Sequence, residues 1–165
     1  MNTVAARIGS QPDRAFFAPI LIGGALAAAI DLVYAFAFYG AIGIAPTRIL
    51  QSIASGFFGM ASFDGGLATA AIGLVAHFSI LIAAAAIYLA ASRRIAMLIR
   101  HALLCGLVFG AAIYATMHVV VVPLSAAPHF KSTLTQSLTD FAVHVALLGP
   151  AIALSVRHFS RRAAR

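Results

Sequence analysis

The sequence predicts an all-α integral membrane four-helix bundle, with both termini in the cytoplasm and a short amphipathic interfacial helix on the outer side. Three observations carry that expectation. Hydrophobic residues make up 62% of the 165 and charged residues 9%, against about 45–50% and about 25% in soluble domains. The apolar residues fall into four runs, each bounded by charge, proline or glycine. The basic residues collect on alternate flanks of those runs. Disorder is excluded because it needs low hydrophobicity and high charge, whereas the mean hydropathy here is +1.01.

Spanning a hydrocarbon core of about 30 Å takes about 20 apolar residues as a helix. The runs that qualify are Phe16 to about Ile44, Gly66 to about Ala91, Ile95 to Val122, and about Leu138 to Val156. The ten-residue polar/apolar alternation of a membrane β-barrel is absent. Lipid demands internally bonded backbone, so the runs read as α-helices. Phe16–Leu26 followed by Ala27-Ala28-Ala29 resembles a signal peptide, but the apolar run continues well past that site, so an uncleaved first span is expected. Between the first two spans, Pro46 to Gly59 reads as the interfacial helix. Pro46 suits a first turn, Arg48, Gln51, Ser52 and Ser55 form a polar side, and Ile49, Leu50, Ile53, Phe57 and Phe58 an apolar one. The whole chain, 1–165, is one transmembrane domain with no repeat or low-complexity tract.

Orientation follows from lysine and arginine in the short flanks. Arg7, Arg14, Arg93, Arg94, Arg100, Arg157, Arg161, Arg162 and Arg165 fall on one side, and only Arg48 and Lys131 on the other. Both ends are therefore expected in the cytoplasm of a bacterial inner membrane. The net charge of +7 forms no stripe or aromatic-interleaved patch, so nucleic acid is not an expected partner. The lipid bilayer is. Gly106 and Gly110 form a GxxxG step that can bring helices together, within the chain or in a homo-oligomer. Gly149-Pro150 is expected to bend the fourth helix. The single cysteine, Cys105, excludes an internal disulfide, a four-cysteine zinc site and an iron–sulfur cluster.

Ionisable groups within spans are costly and mark candidate sites. Asp31 lies in the first span, His77 in the second, His118 in the third, and Asp140 and His144 one turn apart in the fourth. Arg48 and Asp64 enter from the first outer connection, and Arg48 is expected to pair with Asp31 or Asp64. Asp31, His77 and His144 are expected to share one interior site. Each residue also has a structural role open to it: Ser137–Asp140 reads as a capping box, Asp64 as a cap of the second span, and lone histidines as polar contacts between helices. As a group they suit proton or small-ion binding. His77, His118 and His144 are also a conceivable divalent-metal set, and two facing imidazoles could ligate haem b, though no sequence feature requires a cofactor. Ser79 lies off the face of His77 and no GxSxG elbow occurs, so a hydrolase is not expected.

His77-Phe78, Tyr88, Gly106, Gly110, His118 with Pro123-Leu124, Asp140 and His144 resemble the pattern of YagU-type bacterial inner-membrane proteins, and Pro46-x-Arg48 resembles that family's proline–arginine element. The likeness covers roughly Ala45 to Gly149, with a shorter first outer connection here. The elements Asp31-x-x-Tyr34-Ala35, Tyr39-Gly40, Arg48 to Gly56, Gly65-Gly66, Thr69-Ala70 and His77-Phe78 are similar to those of small uncharacterised bacterial membrane proteins. Neither resemblance implies a reaction or a cofactor.

Overall fold

The computed structural model describes residues 12–163. Arg7 and Arg165, two of the flanking basic residues, lie outside them. The described chain is helical throughout, with no strand. α1 (Pro12–Ala41), α2 (Pro46–Phe58), α3 (Gly66–Ser92), α4 (Met97–Arg100), α5 (Ala102–Thr116), α6 (Val122–Leu124), α7 (Leu134–Val143) and α8 (Gly149–Ala163) follow in order. A short 3-10 turn, Gly59–Phe63, joins α2 to α3. Four helices are long and apolar enough to cross a membrane: Phe17–Ala41, Gly66–Ser92, Ala102–Leu124 and Leu134–Arg162.

The starts of two spans differ from the expected ones, the first span ends at Ala41 rather than about Ile44, and the fourth runs on to Arg162 rather than about Val156. The third begins at Ala102 rather than Ile95, because His101 leaves helical geometry (φ −114°, ψ 45°) and separates off α4. The fourth begins at Leu134 rather than Leu138. Its capping box is Thr133 with Gln136, whose side chain and backbone bond reciprocally. Asp140 therefore caps nothing and is free to act inside the bundle. Asp64 does not cap α3 either; the N-cap there is Gly65, without a side-chain bond.

α1 packs against α3 on one side and α8 on the other, α8 packs in turn on α5, and α2 lies against α3. Small residues permit these approaches. A Cβ on Gly73 would strike the Leu50 carbonyl of α2, and one on Gly24 would meet the Ile82 backbone at 2.5 Å. Gly106 faces Pro150 and Gly110 faces the His144 carbonyl. The GxxxG step is thus used inside the chain, between the third and fourth spans.

α2 forms where expected, but neither expected side is buried as a unit: Ile49 of the apolar side is buried, and Arg48 and Ser52 of the polar side are exposed. Gln51 and Ser55 are buried, and Phe57 and Phe58 are exposed. Gln51 Nε2 donates to the Gly66 carbonyl at 3.0 Å and Ser55 Oγ to the Ser52 carbonyl at 2.6 Å. Both bonds satisfy polar groups that packing takes out of solvent. Gly59, at φ +58°, ends the helix.

Two spans carry a π turn, Met117–Val121 and His144–Leu148. Each stands just upstream of a proline, Pro123 or Pro150. Proline removes a backbone donor from the helix, and the widened turn is where the register absorbs it. The expected disturbance at Gly149-Pro150 takes this form. The end of the bundle away from α2 is apolar and tight: Ala27, Ala28, Tyr88, Leu148, Ile152 and Val156 are fully or almost fully buried. Tyr88 stacks edge-on to Phe109 at 4.9 Å and donates to the Leu98 carbonyl at 3.0 Å.

Candidate functional site

α3 and α5 do not close on each other at the α2 end. The gap is a cavity of about 370 Å³, walled by α1, α2, α3, the third span with its π turn, and the fourth span up to His144. Asp31, His77, His118, Asp140 and His144 all line it. Leu81 and Ile113 belong both to its wall and to the apolar core beneath.

Asp31 sits midway along α1. Among the described residues its ion-pair partner is His77, whose Nε2 lies 3.6 Å from Oδ2, with the two side chains 9% and 18% exposed for His77 and Asp31, and His144 also lies within electrostatic reach of it. The same Nε2 lies 3.2 Å from the Ala28 carbonyl. A carbonyl only accepts, so Nε2 carries the proton and Nδ1 is the nitrogen that can take a second one. His144 and His118 are anchored alike. His144 Nδ1 donates to the Asp140 carbonyl at 2.8 Å, and His118 Nδ1 to the Tyr114 carbonyl at 3.0 Å. His118 also stacks on Tyr114, with centroids 4.0 Å apart.

Asp140 is held quite differently. Tyr34 Oη donates to Oδ1 at 2.7 Å and Tyr39 Oη to Oδ2 at 2.8 Å. Tyr34 also reaches Thr139 Oγ1 at 2.9 Å. Each carboxylate oxygen thus has its own hydroxyl donor. These tyrosines are functional residues that sequence reasoning passed over, although Asp31-x-x-Tyr34 places Tyr34 one turn from the acid on the same helix face.

Arg48 does not pair with Asp31 or Asp64. Its Nη1 donates to the Phe63 carbonyl at 3.2 Å and its guanidinium lies 4.5 Å over the Phe63 ring. Arg48 starts α2 at an exposed turn, and the ring face satisfies the cation there. The cavity wall thus includes no arginine or lysine. The three-histidine metal set is not assembled: among the described residues no group of three or more His, Cys, Asp or Glu could hold a metal ion. The backbone anchors explain this, since each imidazole is oriented by a carbonyl of its own or a neighbouring helix. A haem-ligating role likewise finds His77 Nε2 already engaged.

The chain matches no family model, no curated protein and no solved structure. What the site does must come from its own chemistry. Two acids in one cavity are held in opposite ways, Asp140 by two neutral donors and Asp31 by one titratable group.

Proposed function

We propose that this is a bacterial inner-membrane protein that binds and releases protons at the Asp31–His77 pair, in a cavity facing the periplasm, with both termini in the cytoplasm. The observation that carries the proposal is Asp31 itself, a largely buried carboxylate inside a span, with the His77 imidazole 3.6 Å away. With His77 neutral, Asp31 has no counter-charge. A proton arriving on His77 Nδ1, or on Asp31, cancels that charge inside the membrane region. The pair is therefore a place where proton occupancy and charge are tied together. A second, structural part falls to Asp140, which ties α1 to the fourth span through Tyr34 and Tyr39 and needs no proton to do so.

The orientation rests on the basic asymmetry. Reporter fusions at Arg165 and in the loop between Ala126 and Ser132 are expected on opposite sides, with the Arg165 fusion cytoplasmic. A periplasmic signal from the Arg165 fusion reverses the topology. The proton site is tested by titrating the purified protein in lipid discs, with infrared detection of carboxyl bands. Asp31→Asn is expected to take up about one proton fewer than wild type between alkaline and acid pH, with secondary structure unchanged. An Asp31→Asn protein that takes up as many protons as wild type removes the proposal.

A further inference from the structure

Three features of the cavity bear on what else enters it. The first is charge. Asp31 and Asp140 line it with no arginine or lysine, and Asp140 is already satisfied by two tyrosine hydroxyls. Asp31 remains, with His77 beside it and with His144, His118 and the Asp140 carboxylate on the same wall. Its counter-charge is either a proton or a bound cation. The second is shape. About 370 Å³ is far more than a bare ion needs, and it lies in the size range of small-molecule pockets. Away from the polar pole the walls are aliphatic and aromatic, from residues such as Ile53, Phe57 and Met117.

The third is a way in. Phe57, Ala76 and Ile80 line both the cavity and a shallow apolar groove on the outside of α3. Phe57 is 66% exposed, and with Ala76 and Ile80 it stands between the cavity and that groove. A ligand dissolved in the bilayer would pass there.

We propose that the cavity binds a lipophilic organic monocation, an ammonium group carried on an apolar body, with the charge against Asp31 and the body along the apolar wall. This rests on the proton-binding reading above and extends it, because cation and proton then compete for the same carboxylate. Binding the cation displaces a proton from the Asp31–His77 pair, and protonation expels the cation. No covalent step is involved.

The test uses the full chain in zwitterionic lipid discs and two isosteric probes, benzyltrimethylammonium and its uncharged analogue neopentylbenzene. Equilibrium dialysis is expected to show saturable binding of the cation, weakening by about tenfold for each pH unit on the acid side of the site's titration. Asp31→Asn is expected to weaken it by about tenfold or more, while Asp31→Glu, which keeps the charge, retains it. Neopentylbenzene should partition equally into discs with wild type and Asp31→Asn. Saturable binding of the neutral probe at equal strength overturns the charge argument. Absence of cation binding by a protein whose Asp31 still titrates overturns this inference and leaves the proton site standing, and loss of that titration removes both.

Discussion

Gly110→Leu is expected to be the most damaging single substitution in the bundle, costing about 3 kcal/mol in unfolding from mixed micelles. A Cβ at Gly110 would strike the His144 carbonyl and approach Val145 Cα at 2.9 Å. Both obstacles are backbone, which cannot swing aside as a flexible side chain can. Gly149 faces the same contact from the other side, against Gly106 and Gly110, so the third and fourth spans touch through three glycines. Separating them would also shift the π turn that starts at His144 and carries one wall of the cavity. Gly40→Ala is the matched control: nothing lies within 4 Å of a Cβ there, and stability should stay within about 0.5 kcal/mol. If Gly110→Leu unfolds no more easily than Gly40→Ala, the glycine contact is not what holds these spans together.

Hydropathy made the four spans legible because their length and lack of charge are properties of the sequence alone. Their ends were less so. Ile95 to Ile99 is as apolar as the third span itself, and only the backbone at His101 separates α4 from α5. At the fourth span two consecutive capping patterns stand in the sequence, and Thr133–Gln136 is the one that forms. α2 shows a limit of a different kind. Its amphipathic pattern was visible, but the buried face cuts across it, taking Ile49 and Ala54 together with Gln51 and Ser55. Within the site, depth along each helix was enough to bring Asp31, His77 and His144 to one cavity. Rotation about each helix axis was not readable, so the pairing of Asp140 with two tyrosines more than a hundred positions away could not be. Arg48 went astray for a related reason: a guanidinium seeks charge or an aromatic face, and Phe63 supplied the nearer partner.

The tyrosine–aspartate clamp should behave as one unit, and a double-mutant cycle is where that shows. Hydrogen bonds between spans are worth about 0.6 kcal/mol on average and at most about 1.7, while bonds to a charged acceptor run at about 1.5–3. Tyr34 and Tyr39 each occupy a separate carboxylate oxygen of Asp140. Tyr39→Phe is then expected to cost about 1–2 kcal/mol, leaving Asp140 with one donor. Asp140→Leu strands the Tyr39 hydroxyl and leaves Tyr34 only Thr139 Oγ1, and should cost about 2–4 kcal/mol. In that background Tyr39→Phe removes a hydroxyl with nothing left to bond and should be close to neutral. The difference between the two backgrounds, about 1 kcal/mol or more, is the coupling to be measured by unfolding in mixed micelles. Proton uptake adds a second reading that separates the two acids. Because Tyr39 bonds Asp140 and not Asp31, Tyr39→Phe should weaken the bundle without removing the proton taken up at Asp31. Equal costs for Tyr39→Phe with and without Asp140 would mean that the tyrosine stabilises the bundle by packing alone, and the clamp would not exist as an energetic unit.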